Sequence, residues 1–197
     1  MSLPPVRVAV LTSGTGDNMA ALIAASRPAD APFKAAVVVC NVPAAPSLGR
    51  ARDLGVEAVA IDHRPFGKDR EAHERAVHAV LLDRQIEVVA LAGYMRILTP
   101  WLVGQWEGRM LNVHPSLLPD HPGLNTHARA LEAGDVEAGC TVHLVTAGVD
   151  EGPILGQARV PVLPVDTADA LAARVKVEEL KLYPDVLARF CRDLRRS

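Results

Sequence analysis

The stretch 110–119, MLNVHPSLLP, carries the clearest chemical signal in the chain. Asn112 and His114 lie two residues apart at the end of an apolar run, so in a strand their side chains leave the same face. Pro115 then turns the chain. An amide donor beside an imidazole suits acyl-type transfer to an amine, in which negative charge develops on an oxygen and a proton has to move. In the alternative interpretation, His114 pairs with backbone in a loop and Asn112 satisfies a turn.

A carboxylate follows in the turn 148–153, GVDEGP. Asp150 is of a type that could orient an imidazolium or receive a proton through water. The same residue also suits a plain β-turn, in which Asp and Gly serve the geometry. Spacing along the chain does not decide whether Asp150 reaches His114.

Two further histidines, His121 and His127, raise the question of a metal site. The spacing H-x6-H-x5-H matches no common zinc motif, and no cysteine lies near. The neighbouring carboxylates do not cluster at a ligand interval either. We therefore expect no metal.

A glycine-rich turn, SGTGDN at 13–18, follows the first apolar run. Glycine allows a tight turn after a strand, and the N–H groups at the start of a helix can hold an anion. The turn is neither a Walker A loop nor a full G-x-G-x-x-G. Its place after a strand favours a ligand, because ligands in such folds bind outside the carboxyl ends of the strands. The alternative is a tight strand-to-helix turn capped by Asp17 or Asn18.

Between and around these motifs, apolar runs alternate with helix-like stretches, which predicts an α/β fold with a mostly parallel sheet. Runs such as VAVL and AAVVVC are continuous, as in strands covered on both faces. The predicted strands are 6–11, 35–40, 57–61, 88–91, 110–114 and 141–145. The predicted helices are 18–26, 47–54, 70–84, one that begins near 126 and a terminal one over 167–192, which Pro184 should kink or break.

The composition indicates which partners and which cellular compartment to expect. The 197 residues suit one domain, and 49% hydrophobic residues with only 4% aromatic residues predict an aliphatic core. A net charge of −2 gives no general attraction to nucleic acid or to a membrane.

The three cysteines lie far apart, so we expect Cys40 and Cys140 to be core thiols. No apolar stretch reaches the roughly 18 to 20 residues needed to span a bilayer. No charged leader precedes a hydrophobic segment, so we expect a cytoplasmic protein.

Several segments of the sequence, taken in order, resemble the phosphoribosylglycinamide formyltransferase family. The members of that family are folate-dependent enzymes of purine biosynthesis. The segments are VAVLTSGTGDN, DREAHE, LAGYMRIL, GRMLNVHPSLLP, GLNTHARAL, GCTVHLVTAGVDEGPIL and RVKVEELKLYP, and they extend over nearly the whole chain. The resemblance implies a Rossmann-like, mostly parallel twisted sheet with helices on both faces, the formyltransferase fold. It implies a single domain over 1–197, with a phosphate-binding half at about 1–100 and a folate-binding and catalytic half at about 101–197.

The resemblance also implies an activity and a set of site residues. A member of the family transfers the formyl group of 10-formyltetrahydrofolate, a co-substrate, to the amine of glycinamide ribonucleotide, and the positions matching its catalytic trio are Asn112, His114 and Asp150. The positions matching the ribonucleotide site are Gly16, Asp17, Asn18, Lys176 and Glu179. Those matching the folate site are Arg70, Met95, Arg96, Ile97, Leu98 and Asn112. Lys176 and Glu179 are one helical turn apart and should face the same way. Small molecules are thus the expected partners, and the expected assembly is a monomer or a homodimer.

Two positions depart from the pattern of the family. Asp17 stands where bacterial relatives commonly have Ser, which places a carboxylate beside the phosphate site. Asn125 replaces a histidine that some relatives have. The first departure leaves the contact of Asp17 with substrate open, since as an N-cap the residue would turn toward its own helix.

Other functions remain as alternatives. A formyltetrahydrofolate hydrolase and a methionyl-tRNA formyltransferase belong to the same superfamily. Such hydrolases carry an additional N-terminal regulatory domain and the tRNA enzyme a C-terminal domain, and we expect room for neither in this chain. A nucleotide-binding module without catalysis is the alternative from another class. It would have no need for Asn112, His114 and Asp150 together.

Overall fold

The apolar runs form the centre of a seven-stranded sheet in a computed structural model that describes residues 4–196. The strands are β1 (Val6–Thr12), β2 (Phe33–Cys40), β3 (Glu57–Ala60), β4 (Val88–Leu91), β5 (Met110–His114), β6 (Glu137–Leu144) and β7 (Ile154–Pro161). Their order across the sheet is β3-β2-β1-β4-β5-β6-β7. The pairs from β3 to β5 are parallel, whereas β6 is antiparallel to both β5 and β7. The predicted mostly parallel sheet is confirmed.

Six helices and one short 3₁₀ turn at Arg64–Phe66 connect the strands in the described chain. The helices are α1 (Asp17–Ala25), α2 (Pro46–Asp53), α3 (Arg70–Asp83), α4 (Pro100–Gln105), α5 (Thr126–Ala133) and α6 (Ala168–Leu194). None of the helices within residues 4–196 is both long enough and apolar enough to cross a membrane.

Helices cover both faces of the sheet, as the continuous apolar strands predict. Along β1, Val8 and Val10 belong to one buried cluster and Ala9 and Leu11 to another. The first cluster includes apolar residues of α1 and α6, and the second includes residues of α3 and α4. Because side chains alternate along a strand, each face of β1 packs against its own helical layer. Cys40 and Cys140 are buried free thiols, as expected.

Three elements differ most from the prediction, and strand β6, predicted over 141–145, begins four residues earlier, at Glu137. Strand β7 was missed because ILGQARVP mixes polar and apolar residues and is mostly half-exposed at the edge of the sheet. Helix α4 was missed because PWLVGQ is only six residues long, too short to show a helical period. Of the kink or break predicted at Pro184, the break is wrong, since α6 is one helix of 27 residues; the kink stays a prediction.

The continuity of α6 has a packing explanation. Leu171 and Val175 before Pro184, and Leu187 and Cys191 after it, are all fully or almost fully buried against the same face of the sheet. A proline inside a helix costs about 3 kcal/mol, whereas burying a single large aliphatic side chain yields about 1.5 to 3 kcal/mol. The buried face on both sides therefore outweighs the lost backbone hydrogen bond.

A buried hydroxyl also joins α6 to the sheet. The Tyr183 Oη donates to the backbone carbonyl of Leu111 in β5 over 3.1 Å, and the tyrosine side chain is inaccessible to solvent. Burial raises the pKa of Tyr183 well above its usual value, so the hydroxyl remains a donor at every ordinary pH. This contact fixes α6 directly behind the strand that carries Asn112 and His114.

We expect Tyr183→Phe to lower the free energy of unfolding by about 1 kcal/mol, because it removes one buried hydrogen bond and leaves the packing in place. Urea denaturation followed by circular dichroism measures the change. Tyr94→Phe is the matched control, since the Tyr94 hydroxyl makes no hydrogen bond within the described chain. Equal stability of the two variants would contradict the assigned contact.

Candidate active site

Asn112 and His114 lie at the carboxyl end of β5, next to the antiparallel strand β6. In the register of this pair Asn112 faces His143, and His114 faces Thr141. His143 and Thr141 are two residues apart on β6, so both strands direct alternate side chains to the same region. The pairing places a second imidazole beside the two residues that the sequence singled out.

The His114 imidazole is held by an acceptor at each ring nitrogen. Nδ1 lies 3.2 Å from the Asp150 Oδ2, and Nε2 lies 3.0 Å from the backbone carbonyl oxygen of His121. A carbonyl oxygen can only accept, so the Nε2 contact is a hydrogen bond that Nε2–H donates, and Nδ1 lies at ion-pair distance from the carboxylate. The His114 side chain is only 7% exposed, so both contacts are shielded from water.

Asp150 reaches His114 from the loop after β6, which the sequence left undecided. Its backbone is in the left-handed region, at φ 56°, a conformation that Asp tolerates better than most residues. Oδ2 also accepts a hydrogen bond of 3.0 Å from the Gly123 N–H. Burial raises the pKa of Asp150, but the neighbouring imidazoles of His143 and His114 and the hydrogen bond from the Gly123 N–H outweigh it, and the net shift is downward. Asp150 is therefore a carboxylate at neutral pH.

His143 is the residue that sequence reasoning missed. Its Nδ1 lies 2.9 Å from the Leu144 carbonyl oxygen, which places a proton on Nδ1 and leaves Nε2 as an acceptor in the neutral ring. Nε2 lies 3.3 Å from the Asn112 Nδ2 and 3.5 Å from the Asp150 Oδ1. Accepting from Asn112 fixes which end of the amide is NH₂. The sequence did contain one signal, because the polar residues Thr141 and His143 alternate inside an apolar strand. It did not show how that strand aligns with β5.

The loop after β5 is held by the other β6 residue that faces the site. The Thr141 Oγ1 donates to the Ser116 carbonyl over 2.7 Å and accepts from the Leu118 N–H over 3.0 Å.

The histidines that raised the question of a metal site are not brought together, since His121 pairs with Asp135 at 2.6 Å rather than with His127. Among the described residues, no group of three or more His, Cys, Asp and Glu side chains could hold a metal ion.

The glycine-rich turn between β1 and α1 has Gly16 as the N-cap of the helix. Gly16 is left-handed at φ 81°, and a Cβ there would lie 2.9 Å from both the Met19 Cε and the Ser47 Cβ, so the position requires glycine. No side chain caps the helix, and its first N–H groups have no intrahelical partner. The alternative interpretation, a turn capped by Asp17 or Asn18, is therefore wrong. Asp17 is the first helical residue, and its carboxylate contacts Thr15 and Arg50.

Asn18 joins this turn to α6. Its Nδ2 donates to the Glu179 Oε2 over 2.8 Å, and Lys176 pairs with the same carboxylate oxygen. The Asn18 Oδ1 is buried without a hydrogen-bond partner in the described chain. A buried unpaired carbonyl oxygen is costly unless a ligand supplies a donor. Five positions that the resemblance assigns to one substrate thus lie together: Gly16, Asp17, Asn18, Lys176 and Glu179.

The positions assigned to folate lie on the segment after β4 and at the start of α3. A groove of about 550 Å³ is lined by Gly67, Lys68, Arg70, Met95, Arg96 and Ile97. The side chains of Met95 and Ile97 are 74% and 65% exposed, whereas Leu98 is partly buried and packs on the cluster beneath α3 and α4. The Met95 N–H donates to the Ser13 Oγ over 2.8 Å, so the groove adjoins the glycine-rich turn. Arg70, Met95, Arg96 and Ile97 share this groove, and Leu98 supports it from below.

Comparison with known proteins identifies relatives over nearly the whole chain. The formyl transferase family model matches residues 6–187. Phosphoribosylglycinamide formyltransferase of Escherichia coli is 42% identical over 94% of this chain and 87% of its own length. The trifunctional purine biosynthetic protein adenosine-3 of Drosophila melanogaster is 44% identical over 92% of this chain. The chain spans only 14% of the length of that trifunctional protein.

Solved structures agree with the sequence relatives. The crystal structure of phosphoribosylglycinamide formyltransferase from Brucella melitensis superposes with a TM-score of 0.91 at 47% identity, covering 95% of this chain and 96% of the other. The chain belongs to the formyl transferase family and, within it, is similar over nearly its full length to the phosphoribosylglycinamide formyltransferases.

Proposed function

We propose that this chain is an enzyme that transfers the formyl group of 10-formyltetrahydrofolate to the amine of glycinamide ribonucleotide in purine biosynthesis. The observation that carries the proposal is the cluster of Asn112, His114 and Asp150 at one edge of the sheet, in a chain 42% identical to a phosphoribosylglycinamide formyltransferase. The formyl-folate supplies the formyl carbon. The side chains of the protein have to stabilise the negative charge that develops on the formyl oxygen and to move the proton of the amine.

The oxygen of the formyl group gains negative charge when the amine adds to its carbon. Asn112 has one amide N–H engaged with His143 and a second N–H available for that oxygen. The positive charge of protonated His114, two residues along the same strand face, stabilises the same negative charge. The ionised Asp150 orients the His114 ring and can help to pass the proton of the amine toward the leaving nitrogen through water.

We place the two substrates on opposite sides of this cluster. The ribonucleotide would lie at the glycine-rich turn, with Gly16, Asp17, Asn18, Lys176 and Glu179, and the folate in the groove of Arg70, Met95, Arg96 and Ile97, above Leu98. The proposal treats 1–197 as one domain with a phosphate-binding half and a folate-binding, catalytic half. It requires no metal, nucleic acid or membrane, and it places a monomer or homodimer in the cytoplasm.

The reaction itself is tested by following the absorbance of formyl-folate with and without glycinamide ribonucleotide. Turnover that requires the ribonucleotide supports the transferase. Turnover without it would select the hydrolase, and no turnover in either case would select a binding module.

We expect His114→Ala to lower kcat by about 10² or more, because it removes the charge and the proton-handling group at the reaction centre. The affinity for formyl-folate should stay close to that of the wild type. His78→Ala is the matched control, since that imidazole packs on Trp101 and Trp106 of the α3–α4 layer. Near-normal kcat in His114→Ala would refute the assignment.

We expect His143→Ala to lower kcat about tenfold, the effect of losing one hydrogen bond that orients the Asn112 amide, with little change in either KM. The conservative variant His143→Gln should restore part of kcat, because its side-chain carbonyl can accept from the same N–H. Steady-state kinetics with each substrate varied separates the two parameters. An unchanged kcat, or a change confined to KM, would show that His143 does not orient Asn112.

The lowered pKa of Asp150 predicts how the stability of the protein depends on pH. Its pKa is lower in the folded protein than in the unfolded chain, so its stabilising effect is complete above about pH 4 and is lost as the pH falls through the folded pKa. The advantage of the wild type over Asp150→Asn in free energy of unfolding should therefore be larger at pH 7 than at pH 3. Urea denaturation at both values measures it. An advantage that is the same at both pH values would mean that the charge of Asp150 is not the stabilising feature.

A further inference from the structure

An ion pair stands at the mouth of the glycine-rich turn. The Arg50 Nη1 lies 2.6 Å from the Asp17 Oδ1 and 3.4 Å from the Thr15 carbonyl oxygen, and the Thr15 Oγ1 lies 3.1 Å from the Asp17 Oδ2. Both charged side chains are 44% exposed. An exposed pair of this kind contributes little to stability, so the stability of the fold does not explain it.

The position of Arg50 is determined by contacts between α2 and the turn. The Ser47 N–H donates to the Gly14 carbonyl over 3.1 Å, and Gly16 lies so close to Ser47 that any side chain at position 16 would collide with it. Arg50 is three residues after Ser47, on the same side of the helix. The contacts that shape the turn thus also bring the guanidinium to it.

The negative charge of Asp17 beside the start of α1 has to be balanced by the Arg50 guanidinium if a phosphate is to bind there. The start of α1 has unpaired N–H groups that suit a phosphate, but Asp17 places a negative charge directly beside them. The hydrogen bond from Arg50 is the main cause that lowers the pKa of Asp17, so the carboxylate is ionised at neutral pH. On the other side of the turn, Lys176 is already paired with Glu179. A dianionic phosphate would therefore meet a carboxylate whose charge is neutralised mainly by Arg50, with a smaller contribution from Lys176.

We propose that Arg50 is a binding residue for the phosphate of the substrate and that Asp17 is the residue that positions it. The guanidinium has five N–H donors in a planar fork, enough to keep a bond to Asp17 and to donate to a phosphate oxygen. This inference rests on the proposed function, because it assigns a further residue to the ribonucleotide site.

We expect Arg50→Ala to raise the KM for glycinamide ribonucleotide about tenfold, the effect of losing one charged hydrogen bond near the surface. The kcat and the KM for formyl-folate should change little, since the turn lies apart from the reaction centre. Arg50→Lys should recover part of the affinity. The matched control is Arg52→Ala on the same helix, an exposed arginine whose guanidinium lies near the Ala58 carbonyl oxygen; its KM should equal that of the wild type.

A double-mutant cycle tests the role of Asp17. In the Asp17→Asn background no carboxylate is left to repel the phosphate, so Arg50→Ala should raise the KM for the ribonucleotide clearly less than it does in the wild type. Equal increases in both backgrounds would overturn the positioning role of Asp17, and no increase in either would overturn the binding role of Arg50. A wild type that does not turn over the ribonucleotide at all would overturn the proposed function itself. Urea denaturation of each variant shows that the fold is retained.

Discussion

The antiparallel pairing of β6 with β5 is the constraint on which the candidate site depends. Parallel strands alone would place Asn112 and His114 at the sheet edge without partners of defined orientation. Because β6 runs the other way, His143 faces Asn112 and Thr141 faces His114. The loop that follows β6 then returns to the same edge and delivers Asp150 to the imidazole. A shift of one residue in this register would turn both β6 side chains to the opposite face.

Charge is arranged locally because the protein as a whole has almost none to offer an anionic ligand. The net charge is −2, yet three pairs of a basic side chain with a carboxylate lie among the residues assigned to catalysis and to the ribonucleotide: His114 with Asp150, Lys176 with Glu179, and Arg50 with Asp17. They differ in burial, and therefore in strength. The first is nearly enclosed, so water and salt screen it little, whereas the third is half-exposed and its arginine is accessible to a ligand. This difference in burial fits the proposed roles, in which the His114–Asp150 pair acts in the reaction and Arg50 contacts the phosphate when the substrate binds.

Much of the fold could be predicted from local pattern. Continuous apolar runs such as VAVL predict buried parallel strands, and the structure confirms β1 to β5 and the beginning of α5 closely. The failures have physical causes. Six-residue α4 is too short for a period, and edge strand β7 is only partly buried. At Pro184 the local preference of one residue is outweighed by buried contacts on both sides of it.

The sequence by itself determined which chemistry was available: an amide and an imidazole two residues apart before a proline, and a glycine turn after the first strand. Those features depend on neighbours along the chain, which spacing reports directly. Only the tertiary structure decided that Asp150 lies 3.2 Å from His114, that His143 lies against Asn112, and that Arg50 pairs with Asp17. Each of these contacts joins residues more than 30 positions apart, through strand register or through the packing of α2 on a turn. Such contacts follow from the burial of whole faces, and no local run of residues encodes them.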